Sequence, residues 1–144
     1  MRRRLSNRVS RIASLVDLRV RELEAKLLNF AGDPPFEPTV SLVPNVGSVE
    51  NFAVYDFVYN LGATDKANRP LFSVNLTMNL VFKLKVDATR EELLAFGEIG
   101  VVEIAHPYVR EIVHNLTFRM GLPPFVLDVA PPLESNGADD TGVS

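Results

Sequence analysis

The chain has 144 residues, a net charge of −3 and no cysteine, so disulfides and thiolate metal sites are excluded. At 47% hydrophobic and 23% charged it has the composition of one ordinary globular domain, with apolar material to spare for a partner. The acidic balance argues against a nucleic-acid binder, and no run approaches the roughly 20 apolar residues of a membrane span.

Arg2, Arg3, Arg4, Arg8 and Arg11 make residues 1–14 a basic N-terminal segment, expected as a short solvated terminus. Polar residues interrupt the stretch after the arginines, so it does not read as a signal peptide, and a cytoplasmic location is expected. Residues 15–30 carry two patterns. Ile12, Leu15, Val16, Val20, Leu23 and Leu27 fall at helical spacing, which favours a helix on pattern alone. Yet Val16, Leu18 and Val20 alternate with charges, and Leu23, Ala25 and Leu27 alternate in the opposite phase. Two strand pieces joined by a bulge near Arg21 and Glu22 would give that pattern. The prolines at 34, 35 and 38 forbid helix. A short strand over residues 39–43 is expected to end at Pro44, with a loop over residues 45–50.

Two strands follow. Ala53, Tyr55, Phe57, Tyr59 and Leu61 alternate with Val54, Asp56, Val58 and Asn60. After a turn at residues 65–70, Phe72 to Val86 forms a long period-2 stripe, whose other face carries Ser73, Asn75, Thr77, Asn79, Lys83 and Lys85. An antiparallel sheet with one wet face is implied. Residues 87–92 read as a cap and first helical turn, with stops near Gly97 or Gly100. Pro107 suits the first turn of a second helix. Tyr108, Ile112, Leu116 and Arg119 would share one of its faces, and Gly121 would end it.

Chemistry-bearing motifs are few. Glu103 with His106, and Glu111 with His114, have the spacing of di-metal bundle ligands, but those sites draw on four long helices. His106, just before Pro107, fits a helix cap better, and His114 a surface or subunit contact. No phosphate loop or nucleophile elbow is present, so no catalytic residue, metal or cofactor is assigned. Phe36, Val40, Leu42, Leu122, Phe125 and Leu127 lie in proline-punctuated, non-helical segments. They either cover the sheet or form an apolar patch of the kind that marks interaction sites.

His106-Pro107-Tyr108-Val109-Arg110-Glu111, then Leu116-Thr117, Arg119 and Leu122-Pro123-Pro124-Phe125-Val126-Leu127, resemble the SecB chaperone family, as does the upstream Phe36-Glu37-Pro38. The likeness spans roughly residues 12–132 and is strongest to the SecB-like chaperones of toxin–antitoxin–chaperone systems. It implies one α+β domain over residues 1–132, with a disordered tail at 133–144. The domain would be a four-stranded antiparallel sheet with a long C-terminal helix packed on one side, assembling as a dimer of dimers. It also implies that residues 15–30 are a long strand. The implied activity is ATP-independent holding of unfolded polypeptide, such as an antitoxin or an export preprotein. Client contacts would fall to Phe36, Val40, Leu42, Leu122, Phe125 and Leu127, and subunit contacts to Tyr108, Ile112 and Leu116. Ser73, Val74 and Asn75 stand where export-type members present acidic residues, so docking to a translocase motor is not implied. A small-ligand-binding oligomeric α+β domain is the alternative reading of the same apolar surface.

Overall fold

The computed structural model describes residues 1–29 and 31–122. Helix α1 (Arg2–Ile12) leads directly into strand β1 (Ala13–Leu27), followed by β2 (Glu37–Val49), β3 (Phe52–Thr64) and β4 (Pro70–Leu84). Helix α2 (Arg90–Phe96) runs through a π-helical turn (Gly97–Val101) into α3 (Val102–Arg119). The strands form a single antiparallel sheet in the order β1-β4-β3-β2.

The helix suggested by periodicity over residues 15–30 is not formed; the long strand is. The register against β4 slips between Val20 and Glu22, and again between Leu15 and Asp17. The first slip is the bulge that merges the two apolar phases. It puts Leu18 and Val20 opposite Leu80 and Met78, and Leu23, Ala25 and Leu27 opposite Leu76, Val74 and Phe72, all on one face. Pairing along a whole neighbouring strand outweighs helix propensity.

The period-2 stripe of β4 behaves as its alternation requires. Tyr55, Phe57 and Tyr59 of β3 face Leu80, Met78 and Leu76 of β4, and all six are fully buried. The helices close over this face, contributing Val9, Leu93, Phe96, Val102, Ala105, Val109 and Val113 to the same core. Tyr55 joins the layers: its hydroxyl donates to the Leu93 carbonyl at 2.7 Å, and its ring meets Phe82 and Phe96 edge-on. The other sheet face is largely polar on β1 and β4 but carries Val43, Val49, Phe52, Val54, Val58 and Val81. There Arg21 pairs with Asp56, whose carboxylate also accepts from Asn79 at 2.8 Å, linking three strands.

Several boundaries differ from the sequence reading. Strand β2 does not stop at Pro44 but continues through residues 45–49 to a tight turn with Glu50 at φ 53°. Proline is tolerated because β2 is an edge strand. The basic start is a helix, not a solvated arm: Val9 and Ser6 are buried against α2, Arg8 pairs with Glu92 and Arg2 with Glu98. The cap at residues 87–92 is a complete capping box. Thr89 Oγ1 accepts from the Glu92 N–H at 3.1 Å, and Glu92 Oε1 accepts from the Thr89 N–H at 2.8 Å.

Helix α2 ends at Phe96, but the chain does not leave helical geometry at Gly97. Its backbone is α-helical, and a Cβ there would lie 2.8 Å from Tyr55 Cε1, so glycine is needed for close approach to the sheet. Consequently α3 begins at Val102, and Pro107 lies inside it on the exposed side. His106 is therefore no cap. It is buried in mid-helix and stacks on Tyr59, with ring centroids 6.3 Å apart. Gly121, at φ +74°, does end α3. Its own N–H reaches the Phe118 carbonyl and the Leu122 N–H the Thr117 carbonyl, the two bonds of a Schellman stop. Among the described residues no helix is long and apolar enough to cross a membrane.

Candidate polypeptide-binding surface

The residues expected to contact a client begin at the start of β2. Phe36 is half-buried against the core, just before the strand. Val40 and Leu42 follow on the inner face, opposite Leu61 and Tyr59. Pro44 and Val46 continue the row opposite Phe57 and Tyr55. The inner face of β2 is thus an apolar margin, with Leu42 buried and Val40 and Val46 half-covered. Leu122 lies elsewhere in the chain, half-buried against the core just past the α3 stop. Phe125 and Leu127 lie outside the described residues.

Phe36 is held by a polar anchor. The Asp65 carboxylate accepts from the backbone N–H groups of Ala67 and Arg69 at 2.9 Å each and of Asp33 at 3.2 Å. Arg69 Nε donates to it at 3.0 Å, and the same guanidinium reaches Asp33 at 3.2 Å. The Lys66 N–H donates to the Asp33 carbonyl at 2.8 Å. The β3–β4 turn is thereby tied to the segment that presents Phe36. The Arg69 N–H, with its side chain and the Asp33 N–H, holds the Asp65 carboxyl down to about 2 against the opposing effect of burial. Beside the anchor lies an open recess of about 480 Å³, walled by Pro35, Phe36 and Pro38 on one side and Thr64, Lys66 and Asn68 on the other.

A second apolar surface lies on β1. Leu15, Val20, Leu23 and Leu27 point to the core face of the sheet, opposite fully buried β4 residues, yet remain 45%, 43%, 44% and 39% exposed. The helices reach over β3 and β4 and leave the β1 margin bare. The signal was present as the two opposed alternations, but only the bulge shows that they make one row. On α3, Ile104, Ile112 and Leu116 are half-buried, whereas Tyr108 and Phe118 are 48% and 75% exposed. Of the subunit-contact candidates, Tyr108 thus faces outward, while Ile112 and Leu116 pack partly against the core. Among the described residues no group of three or more potential metal ligands converges, and the pair Glu103 and His106 is split, with Glu103 exposed and His106 buried against Tyr59.

No protein-family model matches the chain, and no curated protein matches it. Among solved structures, the chain is similar to the SecB-like chaperone of Mycobacterium tuberculosis in complex with a ChAD peptide from the HigA1 antitoxin. The TM-score is 0.79 at 23% sequence identity, over 88% of this chain and 96% of that one. At that identity the likeness is one of fold.

Proposed function

We propose that this protein is a holdase chaperone that binds unfolded polypeptide, such as an antitoxin, by apolar contact and without nucleotide. The observation that carries the reading is the shared fold with a chaperone solved with an antitoxin peptide. The uncovered apolar surface supports it, because a free protomer seldom leaves so many large side chains in water without a partner. In this reading Phe36, Val40 and Leu42 form one wall of the client site, with Leu122, Phe125 and Leu127 completing it. Phe36 is the anchor, since an aromatic side chain buries a large area at low entropy cost. The Asp65 anchor fixes its segment in advance and so reduces the ordering cost of binding.

The β1 row and the α3 flank of Tyr108, Ile112 and Leu116 are assigned to self-assembly as a dimer of dimers. Four chains of 16.0 kDa would give about 64 kDa. The polar sheet face has no role in client binding, and its neutral Ser73 and Asn75 offer no acidic dock for a translocase motor. The recess beside Phe36 has the size of a small-ligand pocket, which keeps the ligand-binding alternative open to test.

The test is an aggregation assay on a denatured protein with three variants, each checked for assembly by sizing. Phe36→Asp and Phe125→Asp should lose protection while remaining assembled, because a carboxylate resists desolvation. Thr77→Asp, on the polar face, should protect like the parent. Loss of protection in Thr77→Asp alone would move the client to the open sheet face.

A further inference from the structure

Among the described residues no strand pairs with the outer edge of β2, and this edge is of an unusual kind. No charged residue stands between Glu37 and Glu50, and the segment is rich in valine. Val43 and Val49 are 50% and 65% exposed. A long, uncharged, β-prone edge normally invites strand addition and aggregation. The usual protection, a lysine or an inward-pointing charge, is missing here.

The only residues in the strand that can act against addition are Pro38 and Pro44, opposite Ala63 and Phe57. In an antiparallel ladder each residue turns both backbone groups either toward its neighbour or away from it, in alternation. The β2–β3 register runs unbroken from Glu37 to Val49, and the two prolines share one phase. That phase is the outward one, since a proline facing β3 would cost a ladder bond. Val40 and Leu42 therefore keep the only outward N–H groups between the two prolines, and Val46 and Ser48 the only ones between Pro44 and the end of the strand, so no more than two donors follow one another, too few for a strand of ordinary length. The side chains of Val40 and Leu42 lie on the inner face, in the proposed client site.

We infer that Pro38 and Pro44 close the β2 edge to strand addition, so that an extended client is held there by its side chains and not annealed as a fifth strand. The clause about clients rests on the chaperone reading; the closing of the edge does not.

Two measurements test this. In the first, wild type and a Pro38→Thr/Pro44→Thr variant are concentrated and followed with an amyloid-reporting dye. The variant should form dye-positive aggregates at concentrations where the wild type stays clear, and equal behaviour of the two would overturn the inference. The second compares binding of a synthetic peptide of alternating leucine and serine with its twin N-methylated at alternate backbone nitrogens. Wild type should bind both alike, within about twofold, whereas a loss of about tenfold or more on methylation would show strand pairing and overturn it. If the wild type binds neither peptide, the chaperone reading fails, while the dye measurement still decides the edge. If the variant does not fold, the wild-type peptide comparison decides.

Discussion

Replacing Leu23 by Glu should dissolve the assembly without unfolding the protomer. Leu23 faces fully buried Leu76 but keeps 44% of its surface exposed. Full burial of a leucine is worth roughly 1.5–3 kcal/mol, so about 1 kcal/mol remains to be gained when a second copy covers it. Leu15, Val20 and Leu27, similarly exposed, bring the row to about 4 kcal/mol per chain, or about 8 kcal/mol for two facing copies. That is of the order of the association cost, about 4–15 kcal/mol, so the contact is sensitive to one residue. Leu23→Glu removes about 2 kcal/mol over two copies and adds the desolvation of two carboxylates, several kcal/mol more. A shift of more than about a thousandfold in the association constant is expected. In the free protomer the position is half in water, so circular dichroism and the thermal midpoint at low concentration should change little. Light scattering across a dilution series gives the assembly state. If Leu23→Glu assembles at the parent's concentration, the β1 row is not a subunit contact.

Other expectations follow from single sites. Leu116→Ala and Tyr108→Ala on the α3 flank should also weaken assembly, by up to about 2–5 kcal/mol for a side chain buried in the contact, seen in the same dilution series. Gly97→Ala should destabilise the fold by about 1–3 kcal/mol in denaturant melts, because its Cβ would meet a Tyr55 ring already fixed by its bond to Leu93. Thr89→Ala removes half of the capping box and should cost about 1 kcal/mol in the same melts. The Asp65 carboxyl lies below its unfolded value, so its contribution is complete above about pH 4 and fades as pH falls toward 2. Asp65→Asn should flatten that part of the stability–pH curve, and an unchanged curve would remove Asp65 as the anchor.

The sheet was legible where burial is one-sided. Strands β3 and β4 alternate cleanly because one face meets the helices and the other water, and their residues could be placed from the period alone. Strand β1 was legible only as one of two patterns: its opposed apolar phases gave the bulge near Arg21, but the same phase change imitates helical spacing and favoured a helix. Pro44 and Gly97 misled for a common reason. Each was read as local punctuation, whereas a sheet edge accommodates the proline and the Tyr55 ring requires the glycine. His106 was read from its proline neighbour, but the run from α2 into α3 carries it into the core. Of the candidate site, Phe36, Val40 and Leu42 were singled out as apolar residues of proline-punctuated segments, but that Val40 and Leu42 share the inner face of β2 needed the fold. The anchor at Asp65 and the bare margin of β1 needed the fold, since both depend on which strands end up adjacent.

In the proposed function this protein recognises unfolded chain as such. The most direct measurement is calorimetric binding of one polypeptide offered in two states, native and permanently unfolded, with no nucleotide or metal present. The account predicts binding of the unfolded state alone, lost in Phe36→Asp and retained in Thr77→Asp. Equal binding of both states, or of neither, would contradict it.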